Sequence, residues 1–349
     1  MNYNEFIKNN RLFILGAGFS AGAGIPMIGN ILEKTMNLFK NEASGLFERV
    51  NNYAKICFQK DYIDYSAVDF SKLCTYLEYI ELSEYGGGER FSDSGSREKI
   101  AFKFYLSKAI ALSTPSCDNV PQLYFDFINQ LNKYDMIITF NWDLLLEIVI
   151  ESLGKTYSYS NFERRDVDFY IFKLHGSINW KVEEDLGRRM RLQWNPLGFK
   201  NGIMNREIYY SKDLLSKYVW QEYESFSEIR PFIVLPGYGK GFDIRSLAPL
   251  WYKIESAFAT THDIFIIGFS LADDDFLIDS FFLDNLPYVT ETAHQDRKIF
   301  VINPDTSIKN RYRKYCDTKI TNYLFECFNT DHINLMLERK ATTHNTPVT

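Results

Sequence analysis

RLFILGAGFSAGAGIP, residues 11–26, joins a short apolar run to a stretch dominated by glycine, alanine and serine. The run LFIL is typical of a buried strand, and the residues after it lack the side chains that would keep other groups away from the backbone. Gly16, Gly18 and Ala21 fit a Gly-x-Gly-x-x-Ala turn between a strand and a helix. Such a turn favours a diphosphate lying on backbone amides, although glycine turns also serve packing alone.

Further apolar runs also end in polar or glycine-containing residues. They are MIITFNWD (136–143), YIFKLHGS (170–177), FIVLPG (232–237), IFIIGFS (264–270) and KIFVINPD (298–305). Consecutive apolar positions suit strands buried on both faces, as in a parallel sheet covered by helices. Helical patterns occupy 28–40 and 119–133, and another helix is expected after DDDFLIDSFF (273–282). The sequence therefore predicts an α/β fold, a Rossmann-like doubly wound and mainly parallel sheet with ligands at the carboxyl ends of its strands.

Two regions interrupt this alternation. Residues 41–118 are mainly helical in pattern, with a loop composition at GGGERFSDSGSRE (86–98), and residues 178–230 predict a small β-rich excursion. We therefore predict one domain over 1–335 that carries both insertions, followed by a C-terminal tail over 336–349. The tail has little apolar surface to bury and is expected to fray.

The composition excludes several classes of protein. The 349 residues are 46% hydrophobic, enough for the core of a soluble globular protein. The net charge of −6 argues against a dedicated nucleic-acid-binding protein, because phosphate neutralisation needs a basic face. No run approaches the ~20 apolar residues of a membrane span, and LFIL is too short for the core of a secretory signal.

The cysteines give no sign of a disulfide framework or a zinc module. They are scattered and contain no CxxC pair: Cys57, Cys74, Cys117, Cys316 and Cys327. We expect reduced thiols in a cytoplasmic protein, and no bound metal. The acidic run Asp273–Asp275 could suggest a metal site, but an acidic turn ahead of an apolar segment is also typical of a capped helix start. Capping or an assembly contact is the preferred interpretation.

In chain order, the strand ends carry GAGFSAGAGIP, TFNWD, LHGS, GFS and INPD. This set resembles the sirtuin (Sir2) superfamily, whose members carry a GAGxSxxxGIP loop, a T-x-N-x-D strand end, an HG motif, a G-x-S loop and an I-N loop in this order. The resemblance spans residues 12–305 and implies a Sir2-like NAD-binding catalytic domain. Two features of the protein deacylases are missing. The four-cysteine zinc module is absent, and Met27-Ile28-Gly29 stand where those enzymes have Phe-Arg after the GIP motif.

The segment IIGFSLADDDFLIDSFF, residues 266–282, further resembles divergent bacterial Sir2-like proteins that destroy NAD in anti-phage defence. The resemblance implies an NAD+ hydrolase that releases nicotinamide and ADP-ribose and causes abortive infection by NAD depletion. Two alternatives stay open. One is a sensor or scaffold that binds NAD or ADP-ribose without turnover, and the other is an NAD-dependent deacylase or ADP-ribosyltransferase.

The resemblance also assigns roles to residues. Asn141 would position the ribose or the attacking water, and His175, with an ordinary pKa of about 6.5, would act as the base. Asp143 would bind ribose or brace its loop. The remaining candidates for NAD binding are Gly16, Ala17, Gly18 and Ser20 at the diphosphate, Gly268 and Ser270 on its far side, and Asn303 and Asp305 at the adenosine ribose.

The resemblance finally implies that the activity is gated by assembly. We expect a homo-oligomer, with a HerA-like hexameric ATPase or an Argonaute-type protein as candidate partner, and no direct contact with nucleic acid or membrane. The helical insertion 41–118 and the acidic turn Asp273–Asp275 are the predicted contact surfaces, because insertions are where a shared fold acquires its own interfaces.

Overall fold

The computed structural model describes residues 11–85, 96–133, 135–159, 167–183, 208–210, 229–240, 261–271, 275–286, 297–316 and 319–345, with isolated positions between 243 and 258. The first third of the chain is one strand followed by helices. They are β1 (Arg11–Leu15), α1 (Ala17–Ala21), α2 (Ile28–Glu42), α3 (Ser44–Phe58), α4 (Phe70–Tyr85), α5 (Ser96–Ser113) and α6 (Gln122–Gln130). The helical patterns at 28–40 and 119–133, and the helical nature of 41–118, are confirmed by these elements.

The rest of the described chain alternates strands and helices. The elements are β2 (Met136–Thr139), α7 (Leu145–Ser152), β3 (Tyr157–Tyr159), β4 (Phe169–Lys173), β5 (Gly176–Glu183), β6 (Ile208–Tyr210), β7 (Ile229–Ile233), β8 (Asp263–Ile267), α8 (Phe276–Asn285), β9 (Lys298–Ile302), α9 (Ile308–Tyr312), β10 (Thr321–Leu324) and α10 (Thr330–Asn345). A helix was expected after DDDFLIDSFF (273–282), but α8 begins within this segment, at Phe276.

Seven strands form a parallel sheet in the order β10-β9-β8-β1-β2-β4-β3. Phe13 in β1 lies beside Ile137 of β2 and Phe265 of β8. Every residue of β1 and β8 is buried, which is why their sequences are apolar at consecutive positions. The predicted α/β fold, Rossmann-like and doubly wound with a mainly parallel sheet, is confirmed.

The strand order reverses between β1 and β8. From β1 the chain builds β2, β4 and β3 on one side, and it later adds β8, β9 and β10 on the other. In open α/β sheets the ligand crevice lies at the carboxyl ends of the strands at such a reversal. The loops after β1 and β8 therefore border the expected crevice.

A second, antiparallel sheet has the order β6-β5-β7. The run FIVLPG, grouped in the sequence with the strands of the main sheet, belongs here instead, because apolar burial on both faces does not specify which sheet a strand joins. Ile178 and Ile233 of this sheet share a hydrophobic core with the helices of the 41–118 insertion, including Phe102 of α5. One side of the antiparallel sheet thus packs on the helical insertion, whereas Trp180 and Phe232 of the same sheet belong to the core of the parallel sheet.

The end of the described chain is not a fraying tail. Helix α10 continues to Asn345, so the predicted boundary at residue 336 falls inside it. Met336 is fully buried and Arg339 pairs with Asp263 at 2.9 Å. The composition of this segment is polar, but one face of the helix carries the few residues that pack. Residues 346–349 lie outside the described chain.

The predicted loop at 86–98 is also shorter than expected. Residues 86–95 are outside the described chain, whereas Ser96–Glu98 form the first turn of α5. Glu98 is buried there and pairs with Arg49 of α3. The composition gave no sign of this pairing, because Arg49 is distant in sequence.

Candidate functional site

The glycine loop after β1 packs directly against the loop after β8. The amide of Gly16 donates to the carbonyl of Ile267 at 3.0 Å, and the amide of Gly18 donates to the carbonyl of Gly268 at 2.9 Å. A Cβ on Gly268, whose φ is +62°, would lie 2.2 Å from the Phe19 nitrogen. The group that comes so close to this backbone is therefore another loop. The expectation that the Gly16 and Gly18 amides hold a diphosphate is corrected, because both amides are already bonded within the protein.

Asn141, directly beyond β2, ties the end of that strand to the glycine loop. Its Nδ2 donates to the Gly16 carbonyl at 2.8 Å and to Ser20 Oγ at 3.1 Å. Its own amide donates to Thr139 Oγ1 at 3.0 Å. The side chain is only partly buried, and its Oδ1 is left to accept hydrogen bonds from a ligand.

Asp143 is buried and braces the same turn. Its Oδ1 accepts from the Leu145 amide at 3.0 Å, and its carboxylate takes part in a hydrogen bond with Ser20. Burial raises the pKa of Asp143, and the charge of Lys173 and these hydrogen bonds act in the opposite direction. Asp143 was expected either to bind ribose or to brace its loop, and its contacts correspond to the bracing role.

A buried ion pair between Lys173 and Glu147 contacts the turn that contains Asp143. Lys173 Nζ lies 2.8 Å from Glu147 Oε1 and also donates to the Asp143 carbonyl. The hydroxyl of Tyr159 donates to the same Glu147 oxygen at 2.7 Å. Sequence reasoning missed this pair, although charged residues within the apolar runs YIFKLHGS and LLLEIVI were a signal, because buried charges need partners.

His175 stands between β4 of the main sheet and β5 of the second sheet. Its carbonyl accepts from the Val234 amide at 2.8 Å and from Trp142 Nε1 at 3.1 Å. Its ring lies edge-on to Phe140, with centroids 5.2 Å apart, and Phe140 stacks on Phe269 at 4.5 Å. The ring is partly exposed, but Nε2 is shielded from solvent and has no hydrogen-bond partner among the described residues.

The surroundings of His175 keep its imidazole neutral. The pKa of His175 is lowered to about 4, chiefly by burial and further by the charge of Lys240, whereas the charge of Asp275 acts in the opposite direction. The expectation of an ordinary pKa is therefore corrected. Near neutral pH the imidazole has one unprotonated nitrogen that can accept a proton or a hydrogen bond.

Lys240 and Asp275 form an ion pair beside this histidine. Asp275 is also the N-cap of α8 and accepts from the Ile278 amide at 3.1 Å. The capping interpretation is thus confirmed for Asp275, whereas Asp273 and Asp274 lie outside the described residues. Sequence reasoning missed Lys240, and the only signal for it was a cation in the glycine-containing turn after FIVLPG.

The remaining candidates lie at the end of the crevice formed by the loops after β8 and β9. Ser270 is exposed, and its carbonyl accepts from Arg311 Nη1 at 2.8 Å. Asn303 is buried in a turn, where its Oδ1 accepts from the Asp305 amide at 3.0 Å. Asp305 is exposed, and hydrogen bonds from Ser307 lower its pKa. Ser270 and Asp305 are open to a ligand, whereas Asn303 shapes the turn.

Among the described residues, no three His, Cys, Asp or Glu side chains are grouped as metal ligands would be. All cysteines are described and have free thiols, with Cys74 and Cys316 buried. In the same part of the chain, no helix has the length and apolar character needed to cross a bilayer.

The model of the SIR2-like domain family matches residues 135–321, more than half of the chain. No curated protein matches the sequence. Among solved structures, one similar chain is Sir2 in complex with an inhibitor, 2′-O-acetyl-ADP-ribose and a deacetylated p53 peptide. It is 10% identical in sequence, and the alignment covers 97% of this chain and 98% of that chain with a TM-score of 0.39. A complex of Sir2 with p53 peptide and NAD+ is 12% identical, with coverage of 98% and 100% and a TM-score of 0.40.

Proposed function

Since the chain belongs to the SIR2-like domain family, we propose that it is an NAD+ hydrolase that cleaves the nicotinamide–ribose bond and releases nicotinamide and ADP-ribose. One observation carries this proposal. Asn141 and His175 stand at the ends of the neighbouring strands β2 and β4, on one side of the reversal of strand order, and each has an acceptor atom that the described protein leaves unused.

The dinucleotide would lie at the carboxyl ends of the strands, across the packed loops after β1 and β8. Ala17 is exposed at the start of α1, and Ser270 and Asp305 are exposed at the other end of the crevice. We assign the diphosphate to the first position and the adenosine ribose to the second. Gly16, Gly18 and Gly268 contribute by allowing the two loops to pack together, and Ser20 and Asn303 by holding the turns in place.

The chemistry needs little more than positioning. As nicotinamide leaves with the bonding electron pair, positive charge develops on the ribose and water adds to the same carbon. Asn141 Oδ1 would accept a hydrogen bond from a ribose hydroxyl or from the water, and His175 Nε2 would take the proton that the water loses. Because His175 is neutral and the charges of Lys240 and Asp275 balance, this part of the site does not repel the cationic nicotinamide ring.

We further propose that the activity serves anti-phage defence through NAD depletion and is gated by assembly, with a HerA-like ATPase or an Argonaute-type protein as candidate partner. The helical insertion 41–118 supports this, because it exposes Ile56, Tyr62, Tyr79 and Leu112 although its own core is complete. Asp275 is withdrawn as a contact residue, since its carboxylate caps α8 and pairs with Lys240.

The test is to incubate purified protein with NAD+ and to quantify nicotinamide and ADP-ribose by chromatography. We expect Asn141→Ala and His175→Ala each to lower the rate by about 100-fold or more. Gly29→Ala, at an exposed helical position with open space around it, is the control and keeps the parental rate. Hydrolysis at the parental rate by either site variant contradicts the assigned roles.

The same assay separates the alternatives. Saturable NAD+ binding without release of nicotinamide indicates a sensor or scaffold. Release that depends on an acylated peptide indicates a deacylase, and ADP-ribose attached to protein indicates a transferase.

A further inference from the structure

We propose that Lys173 is a positioning residue for the cleavage of NAD+, because its buried side chain joins the turn that carries Asn141 to the strand end that carries His175. This inference rests on the proposed function. The turn in question, called the Asn141 turn below, comprises residues 141–144 between β2 and α7.

Strands β2 and β4 place the two proposed site residues at equivalent positions. Thr139 at the end of β2 lies beside Lys173 at the end of β4, and the Leu174 amide donates to the Thr139 carbonyl at 3.1 Å. Asn141 follows Thr139 by two residues, and His175 follows Lys173 by two residues. Since the regular pairing of the two strands ends at Lys173, the relative position of the two site residues depends on contacts beyond the strands.

The side chain of Lys173 supplies one such contact. Its Nζ donates to the Asp143 carbonyl within the Asn141 turn and lies 2.8 Å from Glu147 Oε1 in α7. Asp143 is two residues beyond Asn141, and Lys173 is two residues before His175. A single buried hydrogen bond therefore joins the two segments that carry the proposed site residues.

The contact to Asp143 also bears on the orientation of the Asn141 amide. Ser20 is hydrogen-bonded to the Asp143 carboxylate, and its Oγ accepts from Asn141 Nδ2 at 3.1 Å. A shift of Asp143 would therefore change the position of both partners. Because Asn141 Oδ1 is the proposed acceptor for a ribose hydroxyl or the water, such a shift would misplace the group that orients the reaction.

Stability alone does not account for the ion pair of Lys173 with Glu147. Their side chains are 1% and 4% exposed, and Glu147 Oε2 is buried without a hydrogen-bond partner in the described part of the chain. Apolar side chains of similar volume are often at least as stabilising as a buried ion pair. They cannot, however, donate to the Asp143 carbonyl. Glu147 balances the charge that a buried lysine brings with this donor.

Three variants separate positioning from stability. Lys173→Met removes the donor to Asp143 and leaves a buried carboxylate unpaired. Glu147→Gln keeps the donor and leaves the amine unpaired, so both single variants should be less stable than the parent. Lys173→Met/Glu147→Gln removes both charges and should regain stability, but it still lacks the donor. If Lys173 positions the Asn141 turn, activity follows the donor. If its role is only structural, activity follows stability.

The experiment measures kcat and KM for NAD+ together with urea unfolding of the full chain. We expect Lys173→Met and the double variant to lower kcat by about 10-fold or more while KM stays within about threefold of the parental value. We expect Glu147→Gln to keep kcat within about threefold in spite of its lower stability.

A second measurement needs no turnover. Asn141 Nδ2 donates to the Gly16 carbonyl and to Ser20 Oγ, so its amide protons are expected to exchange slowly with solvent. NMR of the side-chain amide, assigned with Asn141→Ala, should show exchange that is at least about tenfold faster in the double variant than in the parent.

Lys103→Met/Asp243→Asn is the matched control. This pair is also largely buried, with 2.6 Å between Lys103 Nζ and Asp243 Oδ2, but it lies outside the Asn141 turn. We expect it to leave kcat and the exchange of the Asn141 amide at parental values. The inference is overturned if Lys173→Met/Glu147→Gln has parental kcat, or if it changes the exchange no more than the control does. Faster exchange in the absence of any NAD+ cleavage by the parent supports the positioning of Asn141 and counts against the proposed function alone.

Discussion

At the residue scale, two histidines of this molecule share a lowered pKa but differ in their hydrogen bonds. His332 has a lowered pKa, chiefly through burial, but its Nδ1 accepts a hydrogen bond from the Asn329 amide at 3.1 Å. His175 has a lowered pKa for the same first reason, yet its Nε2 has no partner in the described chain. An unsatisfied buried nitrogen costs about 1–3 kcal/mol. A ligand hydroxyl or water that donates to His175 would recover this energy, which is the expected property of a binding site.

The pKa of His175 predicts how stability depends on pH. The folded pKa is about 4, and the unfolded value is about 6.5. Between these values the unfolded chain binds the extra proton, so the free energy of unfolding falls as the pH is lowered through this window. The loss from this one group is at most about 3 kcal/mol. His175→Gln removes it, and the variant should lose less stability than the parent between neutral pH and about pH 5 in urea unfolding. Equal losses in the two proteins would show that His175 titrates normally in the folded state.

At the scale of elements, the loops after β1 and β8 depend on each other. Gly268 combines a positive φ with a Cβ position only 2.2 Å from the backbone of Phe19. Gly154, after α7, has a similar φ of +67° but nothing within 4 Å. Substitution of Gly154 measures the loss of stability caused by a side chain at positive φ alone. Substitution of Gly268 adds the loss of stability caused by forcing the two loops apart.

We therefore predict that Gly268→Ala destabilises the protein by about 3 kcal/mol and weakens NAD+ binding. Gly154→Ala should cost about 1 kcal/mol and leave binding unchanged, because only the left-handed conformation is penalised. Urea unfolding and calorimetric titration with NAD+ measure both quantities. Equal destabilisation by the two substitutions would mean that the β8 loop moves away without difficulty, and the close packing of the two loops would then not be required.

The strand ends were the most predictable part of the site. Parallel strands place their carboxyl ends at one edge, so residues as distant as Gly16, Asn141 and Gly268 could be grouped from sequence alone. What each one touches could not be predicted. Small residues indicate that something approaches the backbone, but the same pattern suits a diphosphate or a neighbouring loop. Lys240 was missed because its partner Asp275 is supplied by a different unit of the fold.

At the scale of the whole molecule, the site lies where two separate cores meet. One core surrounds the parallel sheet and the other surrounds the helical insertion, and the antiparallel sheet contributes residues to both. The sequence did not predict that the two insertions pack together, because composition and periodicity indicated only two separate interruptions of the alternating strands and helices. The chain passes from the parallel sheet to the antiparallel sheet at His175, which places this residue between the two cores.

The last prediction concerns how the proposed activity is controlled. A hydrolase that consumed NAD+ without restraint would harm its own cell, so the proposed activity would need a gate. The helical insertion offers a surface for an assembly contact, because Ile56 is 61% exposed and Leu112 is 57% exposed on helices whose inner faces are already packed. We expect a homo-oligomer by light scattering and a specific activity that falls on dilution as the oligomer dissociates.

Ile56→Lys and Leu112→Lys should reduce both the oligomer and the activity, because a charge placed in an apolar contact must be desolvated. Leu337→Lys, at a 44% exposed position on α10 away from the insertion, is the matched control and should leave both unchanged. Urea unfolding confirms that the variants fold. A monomer that is fully active at every concentration would exclude gating by self-association. The proposed partner proteins would then be the next candidates for control of the proposed activity.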